Sequence, residues 1–193
     1  MSDTTRRNIL TRLAATVRSQ SFQHVSSRER IRERYFPNVL LKTHDGRRVR
    51  FYDDLIKDKI VLLNFMYVKC EGICMPITMN LKRVQDLFGE RMGRDVFIYS
   101  FTLKPEEDTV TSLRGYAQLH HVKSGWTFLT GSASDMELLR RKLGFTDPNP
   151  EVDRVKSNHT GIIRFGNESL QRWGACPAMS KPTWIVKSVN WLS

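Results

Sequence analysis

Apolar residues along the chain occur partly in continuous runs and partly at helical spacing. Residues 60–67, IVLLNFMY, are almost continuously apolar or aromatic, which is typical of a central strand that is buried on both faces. Between Ile77 and Phe88, apolar residues follow at positions i, i+4, i+7 and i+11, which is the spacing of one helix face. The pattern predicts a helix from about Pro76, because proline suits the first turn of a helix.

The rest of the chain continues this alternation of strands and helices. Strands are predicted over residues 95–103, 126–131 and 160–167, and helices over residues 109–122, 132–145 and 181–193. In the last helix we expect Trp184, Ile185 and Trp191 to pack against the core. Near the start, Asp45-Gly46 separates two strand-like runs and predicts a hairpin. Strands alternating with helices indicate an α/β fold with parallel elements.

The start of the chain differs from the rest in charge. Residues 1–50 contain twelve Lys/Arg and four Asp/Glu, so +8 of the net charge of +11 lies there. We predict a basic, flexible N-terminal segment over residues 1–35 and one folded domain over residues 36–193. The basic segment suits an anionic membrane surface. Nucleic acid is not an expected partner, because no aromatic residues are interleaved with the basic ones.

The first 18 residues also resemble an export signal. Arg6 and Arg7 form a twin-arginine pair, but the apolar run at residues 13–17 is short and partly polar, whereas such signals need about 7–15 apolar residues. We interpret the segment as a degenerate or truncated export signal, with a disordered basic tail as the alternative. No run approaches the ~18–20 apolar residues of a membrane-spanning helix.

Two of the three cysteines, Cys70 and Cys74, lie between the predicted buried strand and the predicted helix. A helix N-terminus lowers the pKa of a nearby thiol, so the pair suits thiol–disulfide exchange or metal coordination. Simple packing of two small residues is the third alternative. A closed zinc site takes four ligands, and there is no second Cys-x-x-Cys motif. Two thiolates with one imidazole suit copper.

Other soft or titratable residues are less informative. His159 lies in a polar loop and, on the pattern alone, is more typical of a surface residue than of a ligand. Cys176 has no obvious mate, and we expect a small buried residue, with a reactive thiol as the alternative. Met66, Met75 and Met79 flank the cysteine motif, and we expect them to pack in the core because methionine fills gaps well.

Three segments resemble the Sco/SenC family of thioredoxin-like copper chaperones for cytochrome c oxidase assembly. Residues 60–76, IVLLNFMYVKCEGICMP, resemble the family's strand–Cys-x-x-x-Cys–Pro segment. Residues 102–117, TLKPEEDTVTSLRGYA, resemble its Asp-Pro-x-x-Asp-Thr segment, and residues 157–167, SNHTGIIRFGN, resemble the segment with its ligand histidine. The resemblance covers roughly residues 36–167.

The resemblance implies a fold, a site and a function. The fold would be a thioredoxin-like sheet flanked by helices, with an added N-terminal β-hairpin. Cys70, Cys74 and His159 would bind a copper ion, Cu(I) or Cu(II). The protein would deliver this copper to the copper-containing subunit of a cytochrome oxidase or to another cuproprotein, in the periplasm or cell envelope.

The chain departs from the family at two positions, and other functions stay open. Lys104 and Asn158 stand where the family usually has aspartates. The main alternative is a thiol–disulfide oxidoreductase in which Cys70 and Cys74 reduce client cysteines before metal insertion. A peroxide-reducing thiol enzyme is a weaker alternative, because no activated peroxidatic thiol or donor-lined pocket is visible in the sequence.

Overall fold

A computed structural model describes residues 26–155 and 161–193 of the chain. In this part the helices are α1 (Ser27–Tyr35), α2 (Cys74–Phe88), α3 (Val110–Leu119), α4 (Ala133–Lys142), α5 (Pro150–Arg154) and α6 (Pro182–Asn190). The strands are β1 (Leu40–Thr43), β2 (Arg48–Arg50), β3 (Ile60–Met66), β4 (Val96–Thr102), β5 (Trp126–Thr130), β6 (Ile162–Asn167) and β7 (Arg172–Pro177). A π-helical turn spans Phe51–Ile56 and a 3₁₀ turn spans Gly89–Arg91.

The described strands form one mixed sheet of seven strands in the order β2-β1-β5-β4-β3-β6-β7. The three central strands are parallel, and β3 pairs with β4 from Ile60↔Val96 to Met66↔Thr102. The other pairs are antiparallel. All residues of β3 are buried, as its continuous apolar run predicts. The predicted α/β sheet flanked by helices is therefore confirmed.

The edge of the sheet beyond β5 is formed by β1 and β2, which are antiparallel neighbours. Leu40 pairs with Arg50, and the connection turns at Gly46, whose φ of +93° favours glycine. The Gly46 N–H donates to the Thr43 carbonyl at 2.9 Å. On its other edge β1 pairs with β5.

Helices cover both faces of the sheet. On one face Phe65 of β3 contacts Phe101 at 5.3 Å and Phe145, just beyond α4, at 4.9 Å between ring centroids. On the other face Ser100 donates to Asn64 at 2.7 Å, since side chains alternate along a strand.

The second face is the one covered by α2 and α3. Trp126 donates to Ser100 at 2.9 Å and stacks on Phe128, which contacts Tyr116 of α3. The hydroxyls of Tyr116 and Thr78 of α2 lie 2.9 Å apart. Helices α2 and α6 pack against each other.

The last helix forms as predicted, but two of its three expected core residues do not pack. Ile185 is buried, whereas Trp184 is 49% and Trp191 is 86% exposed. Ile185 and Val189, one turn apart, are the buried residues of α6. Trp184 and Trp191, seven residues apart, share a different side of the helix. The predicted packing of these two tryptophans is therefore wrong.

Helix α1 lies in the segment assigned to the N-terminal region. It buries none of its residues fully, but its Arg28 pairs with Glu168, in the turn after β6, and with Asp58. Residues 1–25, including the twin-arginine pair, lie outside the described residues. Within residues 26–155 and 161–193, no helix combines the length and the apolar content that crossing a bilayer requires.

Candidate functional site

Cys70 and Cys74 occupy the connection between the buried strand β3 and helix α2. A turn places the Cys70 N–H 3.3 Å from the Tyr67 carbonyl, and Cys74 is the first residue of α2. The helix thus begins two residues before Pro76, the predicted start. Pro76 lies in the first turn, where backbone N–H groups have no intrahelical partner, so the proline costs no hydrogen bond. Neither cysteine is in a disulfide; Cys74 is buried and Cys70 is partly exposed. The structure brings the two predicted cysteines together.

The two thiols differ in acidity. Burial on its own would raise the pKa of Cys70. Hydrogen bonds nevertheless hold this pKa below its usual value; the donors are the Cys74 thiol, the N–H groups of Cys74 and Gly72, and the Tyr67 hydroxyl. Burial raises the pKa of Cys74 to about 12, and the hydrogen bond to Cys70 and the charge of Asp108 act in the same direction. Cys70 is therefore the more acidic of the two thiols, and the Cys74 thiol donates a hydrogen bond to it.

Tyr67 links this pair to the end of β3. Burial and the hydrogen bond to Cys70 raise the pKa of Tyr67 to about 12, so its hydroxyl stays a donor. The ammonium of Lys104 lies 4.7 Å from the Tyr67 ring centroid and pairs with Glu107 at 3.1 Å. The departure at Lys104 therefore places a cation beside the residue that contacts Cys70.

Asp108 is a buried residue beside the site that the sequence analysis did not assign. Its buried carboxylate accepts from the Val68 N–H at 3.1 Å and from the Thr102 hydroxyl at 2.5 Å. Burial raises its pKa, against these hydrogen bonds. It fixes the segment between β3 and Cys70 to the end of β4. Asp108 follows the carboxyl end of β4, which is parallel to β3. Because sites form at the carboxyl ends of parallel strands, this position in the sequence could have identified Asp108.

The methionines around the site do not all pack as predicted. Met66 is buried, in agreement with the prediction, but Met75 is 56% and Met79 is 46% exposed. The two exposed residues are one turn apart on α2, and they share the side opposite to its core-facing residues. They leave two exposed apolar side chains on the first turns of α2, the helix that begins at Cys74.

The third predicted ligand, His159, falls within residues 156–160, outside the described residues. Gly161, two residues later, packs against Ile73 between the two cysteines: a Cβ at Gly161 would lie 2.8 Å from Ile73 Cδ1. In the described residues, no three His, Cys, Asp or Glu side chains cluster as metal ligands.

Cys176 is separate from the dithiol in the sheet. It lies on the edge strand β7 opposite Ile163 and is buried, as predicted. Burial raises its pKa to about 11, which is typical of an unreactive thiol.

The chain is similar to proteins of one family in sequence. The family model described as SCO1/SenC matches residues 30–192. A SCO1 protein homolog of Bacillus subtilis (strain 168) is 33% identical over 99 residues, which are 50% of this chain and 49% of that protein. The match thus spans about half the length of this relative.

The fold is similar to solved structures of the same family. A SCO1/SenC family lipoprotein from Bacillus anthracis str. Ames matches 80% of this chain and 92% of its own, with a TM-score of 0.66 and 22% identity. BsSco, described as a cytochrome c oxidase assembly protein with a disulfide switch, matches 80% and 90%, with a TM-score of 0.64 and 24% identity. Arabidopsis thaliana ScoI, solved with copper bound, matches 79% and 96%, with a TM-score of 0.58 and 21% identity.

These structures confirm the predicted thioredoxin-like arrangement of sheet and helices. The sequence match covers most of the chain and includes the dithiol, the strand before it and the segment after His159. The chain belongs to the SCO1/SenC family.

Proposed function

We propose that this protein binds a copper ion through Cys70, Cys74 and His159 and delivers it to the copper-containing subunit of a cytochrome oxidase or to another cuproprotein. The observation that carries the proposal is the pair of adjacent thiols at the start of α2, one of which has its pKa lowered by hydrogen bonds. Copper is the cargo, and transfer is an exchange of these ligands for those of the client.

The donor atoms fit this cargo. Sulfur ligands favour Cu(I), and imidazole suits both copper states. Cys70 supplies a stabilised thiolate, and the charge of a bound cation would favour loss of the Cys74 proton as well. Two thiolates already satisfy the low coordination that Cu(I) accepts, so the third ligand matters most for Cu(II).

The contact between Gly161 and Ile73 supports His159 as the third ligand. Two extended residues span about 7 Å at most, so the Cα of His159 stays within that distance of Gly161. Gly161 itself is held in place, because its carbonyl accepts from the Ala178 N–H at 2.7 Å. The described chain therefore resumes beside the cysteine connection, two residues after His159.

The other side of residues 156–160 is anchored too. Asp153 of α5 receives two hydrogen bonds from the buried Arg140, at 2.6 and 2.7 Å. Such a bidentate pair fixes direction as well as distance. The described chain is thus fixed by hydrogen bonds on both sides of residues 156–160.

The exposed side chains of Met75 and Met79 suit contact with a client. A carrier must bring its ligands against those of another protein, and exposed apolar residues next to a site are typical of such contacts. Methionine adapts to differently shaped partners. We infer that the client covers this surface during transfer.

Location and client are proposed from the family. The names of relatives refer to a lipoprotein and to cytochrome c oxidase assembly, and on that basis we propose the periplasm or cell envelope. Of the net charge, +8 lies in residues 1–50, and we propose that this segment contacts an anionic membrane surface.

A second function is favoured by the difference in acidity between the thiols. As a thiol–disulfide oxidoreductase, the Cys70 thiolate would attack a client disulfide and form a mixed disulfide, releasing one client thiolate. Cys74, after losing its proton, would attack Cys70 sulfur and release the second client thiolate. The client disulfide gains two electrons, and the Cys70–Cys74 pair loses them. The disulfide switch described for BsSco is a parallel case.

Metal content and thiol count distinguish the two functions. The reduced wild-type protein should bind one copper per chain, and the bound copper should protect Cys70 and Cys74 from a thiol reagent. Cys70→Ser and Cys74→Ser should each abolish tight binding, and Cys176→Ser serves as the matched control that leaves it intact. A metal-free protein with a rapidly exchanging disulfide would favour the oxidoreductase.

A further inference from the structure

The end of the sheet opposite to the dithiol is formed where β3 and β4 begin and β6 ends. Ile60 pairs with Val96 on one side and with Asn167 on the other. The dithiol follows the other end of β3, about 20 Å away at the usual rise of a strand. We call this end the basal pole; it comprises residues 57–60, 91–97, 167–172 and 190–193.

A cavity of about 520 Å³ opens at the basal pole, and three cations line it: Lys57, Lys59 and Arg94. The Lys59 ammonium donates to the Asp54 carbonyl at 2.8 Å and lies 5.8 Å from the Phe97 ring centroid. In the part of the chain that the structure describes, neither lysine belongs to an ion pair with a carboxylate. Both ammonium groups are therefore open to an external anion.

The two acids in the cavity lining are already paired with arginines from neighbouring elements. Asp58 binds Arg28 of α1 at 2.6 Å, and Asp95 binds Arg91 of the 3₁₀ turn at 2.8 Å. Glu168, which also pairs with Arg28, is buried. These carboxylates do not offset the charge of the lysines, so the cavity is positively charged.

Two large apolar side chains are exposed at the same pole. Leu170 lies in the cavity lining, and Trp191 directly follows α6. The Asn167 amide donates to the Leu192 carbonyl at 3.0 Å, which places the end of α6 beside the turn between β6 and β7. Exposed tryptophan and leucine next to lysine and arginine are typical of surfaces that lie at a membrane–water interface.

The start of α1 reaches the basal pole too, through the bond between Arg28 and Asp58. It follows residues 1–25, which contain four arginines and one acidic residue. The basic segment thus joins the fold at the end of the molecule that carries the unpaired lysines. Both suit the same anionic surface.

We propose that the basal pole docks on an anionic phospholipid bilayer, with Lys57, Lys59 and Arg94 at the lipid phosphates and Leu170 and Trp191 in the interfacial layer. Docking at this end leaves the dithiol at the end that faces away from the bilayer, where a client reaches it. The inference concerns the folded domain, and it requires neither copper binding nor the contact proposed for residues 1–50.

Quenching by brominated lipids locates the contact in the reduced, metal-free full chain. The vesicles contain equal parts of phosphatidylcholine and phosphatidylglycerol with brominated acyl chains. Trp184→Phe keeps Trp191 as the strongly exposed indole, whereas Trp191→Phe keeps Trp184, which lies about 10 Å away along α6. We expect the brominated vesicles to quench the fluorescence of Trp184→Phe at least about twice as strongly as that of Trp191→Phe.

Lysine variants test the electrostatic part of the contact. Lys57→Gln combined with Lys59→Gln should bind these vesicles roughly tenfold more weakly than the wild type in a cosedimentation assay. Lys42→Gln combined with Lys181→Gln removes the same charge from two exposed lysines outside the basal pole. This matched control should bind nearly as the wild type does. Vesicles of phosphatidylcholine alone should bind the wild type at least about tenfold more weakly.

Equal quenching of the two tryptophan variants, or equal binding of the two lysine variants, overturns the inference. The basic N-terminal segment would then be the part in contact with lipid, so the contact proposed for residues 1–50 would survive without docking of the pole. Absence of binding to the anionic vesicles, or equal binding to phosphatidylcholine alone, overturns it as well. So does a duplex oligonucleotide that binds as tightly as the vesicles with the same dependence on Lys57 and Lys59, because the pole would then be a general polyanion surface.

Discussion

Gly161 packs against Ile73, the residue that directly precedes Cys74, so a contact between distant parts of the chain adjoins the dithiol. The backbone of Gly161 is not in the left-handed region, and the contact depends on the missing Cβ. It connects the segment that follows His159 with the cysteine connection.

Gly161→Val should therefore weaken copper binding without preventing thiol reaction. The added side chain pushes residue 161 away from Ile73 and shifts the residues before it. We expect a loss of about tenfold in Cu(II) affinity, or ~1.4 kcal/mol, in competition with a chelator of known affinity. Ile73→Ala in the same chain opens the space again and should restore most of the affinity. An unchanged affinity in Gly161→Val would show that the contact does not position a ligand.

Thiol alkylation should separate the cysteines by pH. Because hydrogen bonds stabilise the Cys70 thiolate, the alkylation rate of Cys70 should reach half its maximum at a pH below the ordinary thiol pKa of about 8.5. Cys74 and Cys176, with pKa values of about 12 and about 11, should react slowly at neutral pH. Tyr67→Phe removes one donor and should move the Cys70 profile to higher pH. Mass spectrometry of each modified peptide checks this; faster reaction of Cys74 than of Cys70 would contradict the assignment.

The buried carboxylate of Asp108 should matter for stability. Asp108→Ala leaves the Val68 N–H and the Thr102 hydroxyl without their partner, and we expect a loss of about 2–4 kcal/mol in the free energy of unfolding. Asp108→Asn, which keeps one acceptor oxygen, should lose less. Glu106→Gln, at a nearby exposed position, is the control and should change little. Urea unfolding measures all three, and equal stability of the Ala and Asn variants would argue against the hydrogen-bond explanation.

The ion pair between Arg28 and Glu168 should make the attachment of α1 pH-dependent. Burial opposes ionisation of Glu168, but the bonds from Arg28, the Asp58 N–H and Tyr52 lower its pKa to about 2. A lowered pKa means that this group stabilises the fold above its unfolded value of about 4.3, and that the contribution is lost as the pH falls towards 2. Stability should fall through this window.

Arg28→Ala should reduce the free energy of unfolding at pH 7 by about 1–2 kcal/mol, less than a fully buried pair would give, because Arg28 is 40% exposed. In Arg28→Ala the fall in unfolding free energy on acidification should begin at a higher pH than in the wild type, because the Glu168 carboxylate keeps fewer stabilising partners. Arg30→Ala, an exposed residue of α1, is the control. Identical pH profiles for wild type and Arg28→Ala would contradict this explanation.

The sequence predicted the elements whose signals are local. The continuous apolar run of residues 60–67 and the helical spacing that begins at Ile77 each determine one element and its burial. The cysteine pair was predicted for the same reason, since strand, connection and helix are consecutive. These elements are enough to place the dithiol at the carboxyl end of a central strand.

Features that depend on distant contacts could not be predicted in this way. Whether Trp191 or Met79 faces the core depends on where α6 packs on α2, which the helical pattern alone does not determine. The lowered pKa of Cys70 requires the Tyr67 hydroxyl to point at it. The raised pKa of Cys74 depends in part on Asp108, which is far away in the sequence.

The central claim is that His159 completes a copper site with Cys70 and Cys74. The most direct test is a competitive copper titration of His159→Ala, together with a measurement of the reduction potential of its dithiol. His121→Asn, which replaces another histidine, is the control. Removal of one of three ligands should weaken Cu(II) binding at least tenfold and Cu(I) binding less, with the dithiol potential nearly unchanged. Unchanged affinity for both copper states would remove His159 from the site and favour the oxidoreductase.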